Sequence, residues 1–256
     1  MIPVGWFAGS VIACGATPPV APPPVAPPVL DQPEADVYAT AVGPLAVRPI
    51  GHGSLALRFA GQTWVVDPSR EVAGDYTGIV ADVVLLTDVH ADHLDPKTLA
   101  AVSRTGTVVV GPPAVAREAH VDVALANGET QTIAGVAVTA VPMYNLVRGP
   151  EGGGRYHERG RGNGYLVDIG GRRVYVSGDT ECTPEMKALS GVDIAFVSMN
   201  LPWTMPPDEA VSCVRAFRPK VLYPYHHGDS DVSHLASALV DVSVKVQLRD
   251  WYPAHR

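Results

Sequence analysis

From about Tyr38 onward the chain alternates short apolar runs with glycine breaks. The segments VRPIG, SLALRFA and QTWVVDP, broken at Gly51, Gly53 and Gly61, predict strands joined by hairpins. The run ADVVLLTD is almost continuously apolar, the pattern of a strand buried on both faces, and it leads directly into VHADHLD; a short helix is expected from Pro96 to Ser103. The second half repeats this logic. GVAVTAVPMYN, GYLVDIGG and RRVYVSGDTE predict strands with glycine turns, TPEMKALS a helix with Pro184 near its start, and VDIAFVSMN a further buried strand. PPDEAVSCVRAFRP predicts a helix, and VLYPYHH a buried strand ending in two histidines. DVSHLASALVD predicts a helix with Leu235, Leu239 and Val242 on one face, and VKVQLRDWYP a closing strand. Two β-rich halves, each with its own helices, predict an α/β fold in which two β-sheets pack face to face and helices cover their outer faces.

The beginning of the chain follows a different pattern. Cys14 follows Val11-Ile12-Ala13 and precedes Gly15, and the short apolar run before it resembles a bacterial lipoprotein signal whose cysteine is lipidated. Residues 15–37 hold eight of the 24 prolines, between Pro18 and Pro33, and predict an extended linker without a core. The expected organisation is a signal over 1–14, a Pro-rich linker over 15–37 and one folded domain over 38–256. Against the signal, no Lys or Arg occurs before Arg48. If Cys14 is lipidated, the protein sits on the periplasmic face of a bacterial membrane; if Cys14 is incidental, the protein is cytoplasmic.

Composition narrows the function classes. With 19 Lys+Arg against 26 Asp+Glu the formal net charge is −7, and no basic run offers a footprint for a phosphate backbone, which argues against nucleic acid as the main partner. An apolar share of 46% supports a buried core. Cys14, Cys182 and Cys213 are too few and too scattered for a disulfide framework, and Cys182 reads as a small buried residue.

Candidate chemistry is concentrated where apolar runs end. Asp88, His90, Asp92 and His93 fall within six positions after a buried strand, and imidazole with carboxylate suits zinc, iron or manganese. A loop of this spacing can direct Asp88 and His90 to one ion and Asp92 and His93 to another. Asp179 and His226 end two other apolar runs and are the expected distant partners. Trp203, after another buried strand, is either an apolar pocket wall or ordinary core. Arg148, Arg155, Arg159 and Arg161 either favour an anionic substrate or form a solvated turn.

GHGS at 51–54, TDVHADHLD at 87–95, SGDTE at 177–181 and PYHHG at 224–228 together resemble, in order and spacing, the metallo-β-lactamase superfamily. Within it they are most similar to small metal-dependent hydrolases related to ascorbate-6-phosphate lactonases. The resemblance implies an αββα sandwich with metals at one edge. It assigns His90 to a first metal site, Asp92, His93 and His226 to a second, and Asp179 to a bridge between them. Two positions depart from the family pattern. Asp88 stands where the first histidine of the loop is usual, and Asn145 where many members carry a third first-site histidine. Either Asp88 binds through oxygen with His157 or Asn145 completing the first site, or one ion sits in the second site alone. His52 would line the cleft.

The expected function is a metal-dependent hydrolase acting on an ester, lactone or phosphoester small molecule, with Asp92 orienting or deprotonating the attacking water. The expected cofactor is one or two zinc ions, with manganese or iron as alternatives. A binding protein that keeps the fold and a single ion is the alternative reading.

Overall fold

The computed structural model describes Met1, residues 35–70 and residues 74–252. Cys14 and nearly all of the Pro-rich segment, on which the lipid-anchor reading rests, lie outside the described residues. Among the described residues fourteen strands and four short α-helices follow in chain order. The first half comprises β1 (Asp36–Thr40), β2 (Gly43–Gly51), β3 (Ser54–Phe59), β4 (Gln62–Val66), β5 (Val83–Leu85), α1 (Pro96–Val102), β6 (Val108–Gly111) and β7 (Val123–Ala124). The second comprises β8 (Thr130–Ile133), β9 (Val136–Met143), β10 (Gly162–Ile169), β11 (Arg172–Val176), α2 (Pro184–Lys187), β12 (Ile194–Ser198), α3 (Pro207–Phe217), β13 (Val221–Tyr225), α4 (Leu235–Ala238) and β14 (Lys245–Val246).

The strands form two seven-stranded sheets, ordered β1 to β7 and β14 down to β8. Each begins as an antiparallel meander and becomes parallel at its fourth strand: β4, β5, β6 and β7 in one, β11, β12, β13 and β14 in the other. The inner faces meet in one core that joins Leu45, Leu57, Trp64 and Leu85 to Tyr165, Phe196, Tyr223 and Trp251. Behind the first sheet, Val84, Leu86 and Val109 pack on Leu94, Val102 and Val115 around α1. Behind the second, Tyr175, Ala195 and Leu222 pack on Met186, Cys213, Phe217 and Leu235 of the remaining helices. The α3 face Ala210, Cys213, Val214 and Phe217 has the spacing of one buried helical stripe. This is the αββα sandwich.

Local outcomes differ from the pattern-based expectations where tertiary contacts decide. β1 opens at Asp36, before Tyr38, and β6, β7 and β8 were not legible as strands because they are short or solvent-facing. The segment from Val244 to Tyr252 pairs only at Lys245 and Val246, then leaves the sheet so that Trp251 enters the inter-sheet core. The 231–241 segment forms only the single-turn helix α4 and a 3-10 turn, Val240–Val242, that ends at Ser243 in left-handed geometry. Cys182 and Cys213 form a disulfide that ties the loop after β11 to α3. Their 31-residue separation hid this pairing, since only the packing of α3 on the second sheet brings the two thiols together. Among the described residues no helix is long and apolar enough to cross a membrane.

Candidate metal centre

The parallel registers place polar strand ends side by side. Val66 pairs with Leu85, so the residues that follow, Asp67 and Thr87, meet: the Thr87 amide donates to Asp67 Oδ1 at 2.7 Å and the Thr87 hydroxyl to Oδ2 at 2.6 Å. Ser198 pairs with Tyr225, which brings the ends of β12 and β13 together and delivers His226. The β11 end supplies Asp179 after Gly178, whose φ of +60° and tight surroundings (a Cβ would lie 2.4 Å from Met143 Sδ) exclude a side chain. Between β5 and α1 the amides of His93 and Leu94 both donate to the His90 carbonyl, and Asp95 caps α1 through the Lys97 amide at 3.0 Å. That turn directs His90 and the pair Asp92–His93 to different places.

Two clusters result, one of Asp92, His93, Asp179 and His226 and one of Asp88, His90 and His157, each with ligand-type atoms within 4.8 Å of one another. Asp179 Oδ1 lies 3.3 Å from His226 Nε2, while its Oδ2 lies 3.4 Å from His93 Nε2 and 3.5 Å from His157 Nε2, so this carboxylate stands between the clusters. Asp92 Oδ2 lies 3.2 Å from His226 Nε2 and 3.3 Å from His52 Nε2. Gly53 lets the imidazoles approach, since a Cβ there would sit 3.1 Å from the His226 ring. His52, Asp67 and His226 all adopt left-handed φ between 45° and 48°, a conformation uncommon for non-glycine residues and one that gathers here at the site.

Imidazole tautomers follow from the partners. His93 Nδ1 lies 2.9 Å from Asp67 Oδ2, and donating there leaves Nε2 aimed at Asp92 and Asp179. His157 Nδ1 lies 2.7 Å from Asn145 Oδ1, an oxygen that can only accept, so its Nε2 faces the site as a lone pair. Asn145 is fixed in that role because its Nδ2 donates to Glu181 and to the Trp203 carbonyl. Tyr252 accepts from the Gly228 amide at 2.6 Å and donates its own proton to His52 Nδ1 at 2.9 Å, which leaves His52 Nε2 to donate to Asp92.

The electrostatics call for positive charge. Burial opposes a charged His93, but Asp179, Asp92 and Asp67 outweigh it and raise its pKa well above the usual imidazole value. Burial alone would push the Asp179 and Asp92 carboxyls up; the neighbouring histidines reverse this and hold both well below the usual carboxylate range. Burial, reinforced by His226, lowers His52 to about 4, so it is neutral near pH 7. His157 is likewise lowered by burial. Among the described residues the buried atoms His93 Nε2, His157 Nε2 and Asp179 Oδ1 have no hydrogen-bond partner, although both imidazole nitrogens face Asp179 Oδ2 and Oδ1 faces His226 Nε2. Buried polar atoms left this way are costly, and a divalent cation among Asp92, His93, Asp179 and His226 satisfies His93 Nε2 and Asp179 Oδ1. The residues fit a metal.

The structure therefore gathers Asp88, His90, Asp92, His93, His157, Asp179 and His226, with His52 beside Asp92; Asn145 stands behind His157 and orients it. Cys182 is in the disulfide and Trp203 lines the cleft, a cavity of about 520 Å³ bounded also by His90, Tyr156, His157 and Asn200. Arg148 pairs with Glu181 and Glu209, Arg159 with Glu185, and Arg155 donates to the Leu146 carbonyl. Arg161 instead grips Asp88. Residues overlooked in the sequence are Asp67, Glu181 and Tyr252. Asp67 carried the signal used elsewhere, an acid directly after the apolar run WVV. Glu181 accepts the amides of Leu146, Val147 and Arg148 and so anchors the loop that carries His157.

A family model described as a beta-lactamase superfamily domain matches residues 46–226. A protein of Thermus thermophilus named a UPF0173 metal-dependent hydrolase is 30% identical over 191 residues, covering 71% of this chain and 83% of its own. A crystal structure from Parabacteroides distasonis, described as a metal-dependent hydrolase, aligns with a TM-score of 0.79 and 40% identity over 85% of this chain and 98% of its own. A metallo hydrolase of Ignicoccus hospitalis shares the fold, with a TM-score of 0.67 at 18% identity over 80% of this chain and 94% of its own.

Proposed function

The chain belongs to the metallo-β-lactamase superfamily and is a metal-dependent hydrolase, and from that premise we propose that Asp92, His93, Asp179 and His226 hold the metal for hydrolysis of an ester, lactone or phosphoester. The observation that carries this reading is that ligand atoms of Asp92, His93, Asp179 and His226 lie within 4.8 Å of one another, with His93 Nε2 and Asp179 Oδ1 buried and unpartnered among the described residues. Two imidazoles with two carboxylates suit zinc, with manganese and iron as the alternatives. When bound, such a cation supplies Lewis acidity and lowers the pKa of a water it holds toward neutrality.

The chain's own residues do the rest. Asp67 fixes His93 in the tautomer that presents Nε2. Asp92, the most exposed member of its cluster at 27%, orients the attacking water, and His52 donates to its Oδ2 and keeps the carboxylate aimed. Trp203 and Tyr156 give the cleft apolar walls that seat the non-reacting part of the substrate and exclude bulk water.

The test is turnover of zinc-loaded protein on three panels: aryl esters, lactones and phosphodiesters. Hydrolysis of at least one class is expected, and it should fall to background in His93→Ala and Asp179→Ala. Undiminished turnover in both folded variants would refute the assignment.

The same reading extends to place. An extracytoplasmic protein anchored through Cys14 is supported by the Cys182–Cys213 bridge, because such bonds persist in oxidising compartments. Fractionation of cells expressing the full chain tests it: the protein should be in the membrane, and Cys14→Ser should release it.

A further inference from the structure

The two clusters differ in one respect that geometry makes plain. Among the described residues Asp92 and Asp179 have only histidines as ion-pair partners. Asp88, whose carboxylate is wholly buried, is gripped by a guanidinium: Arg161 Nε donates to Oδ1 at 3.0 Å and Nη2 to Oδ2 at 2.7 Å. Nη2 also lies 3.4 Å from His90 Nε2, and His90 Nδ1 lies 3.0 Å from Asp88 Oδ2. Two of the three groups that an ion in this cluster would need, Asp88 and His90, are thus already facing a fixed positive charge, while His157 Nε2 lies 3.8 Å from Asp88 Oδ2.

We infer that the Arg161 guanidinium stands in for a cation in the Asp88–His90–His157 cluster, so that the chain binds a single ion, in the Asp92–His93–Asp179–His226 cluster. The inference rests on the metal assignment proposed above and goes beyond it in fixing the number of ions and naming the residue that sets it.

Charge supports the assignment. The centre contains three carboxylates, Asp88, Asp92 and Asp179, and one guanidinium that is charged at every working pH. Within the Asp88–His90–His157 cluster that guanidinium already balances the one carboxylate, whereas Asp92 and Asp179, with Asp67 behind His93, face histidines. An ion in the Asp88 cluster would stand beside that guanidinium with no second carboxylate of its own cluster to offset it, an arrangement that low-dielectric surroundings penalise. The bidentate fork is also the strongest form of carboxylate recognition available to a side chain, so an incoming ion would have to displace both of its hydrogen bonds. His90 and His157 are then spared ligand duty. Both line the cleft, and His157, its Nδ1 held by Asn145, keeps Nε2 available to accept a hydrogen bond from a substrate.

Metal content decides the matter. The full chain, saturated with zinc, desalted and analysed by elemental mass spectrometry, should carry one equivalent per chain. Arg161→Met should raise this to two equivalents, and Arg161→Lys, which keeps the charge, should remain at one. His226→Ala should reduce the wild-type value toward zero. Two equivalents in the wild type would overturn the inference while leaving the metal assignment standing, and that measurement needs no variant to fold. A folded Arg161→Met that still takes one ion would overturn it as well. No bound zinc in the wild type would refute the metal assignment and the inference together.

Discussion

The cluster of Asp92, His93, Asp179 and His226 and the cluster of Asp88, His90 and His157 share one cleft and contain the same residue types, yet their surroundings are opposite. The first is supported from behind by a carboxylate: Asp67, itself tied to Thr87, fixes His93 and adds negative charge, so the cluster attracts a cation. The second is supported by a cation and an amide: Arg161 neutralises Asp88, and Asn145 fixes His157 without adding charge. The side chains that could touch a metal do not by themselves determine whether one binds. The residues behind them set the sign of the field.

The comparison can be broken most severely at its negative pole. In Asp179→Ala, zinc binding and hydrolysis should both be lost, because Asp179 faces both clusters; equilibrium dialysis with zinc and the turnover assay read this directly. Asp67→Asn should be milder. It keeps the shape but removes the charge behind His93, and zinc affinity should drop by about 10- to 100-fold, measured by competition with a chromophoric chelator. An unchanged affinity would mean that Asp67 is only a structural acceptor for Thr87.

On the other side, Asn145→Ala should leave zinc content unchanged and lower turnover by about 10-fold, since His157 loses the partner that sets its tautomer. Metal loss in this variant would place His157 among the ligands and sharpen the contrast in the opposite direction. The smallest effect on chemistry should come from replacing Cys182 and Cys213 together with alanine. Turnover should change less than about twofold, while denaturant unfolding should show a loss of roughly 2–4 kcal/mol for a bridge closing a loop of this length.

Much of this centre was legible in the sequence. Asp92, His93, Asp179 and His226 were found because each interrupts or ends an apolar run, and a polar ligand at the end of a buried strand needs a reason to be there. Asp67 was overlooked despite the same signal, because a single acid without a neighbouring histidine offers no spacing to recognise. Arg161 was read with its neighbours as either favouring an anionic substrate or part of a solvated turn, and Asn145 as a departure from the family's histidine that could still complete the first site. Their roles depend on partners 73 and 12 residues away, Asp88 and His157.

The sequence by itself determined the two β-rich halves, the buried strands and the concentration of imidazole and carboxylate at their ends, because burial periodicity and residue chemistry are local properties. Only the tertiary structure decided which strand ends meet, that Cys182 reaches Cys213, and that Asp88 faces a guanidinium while His93 faces a carboxylate. Those outcomes depend on strand register and on the path of the 145–161 loop across the sheet edge. Neither leaves a mark in the order of residues, because each is fixed by packing between segments far apart in the chain.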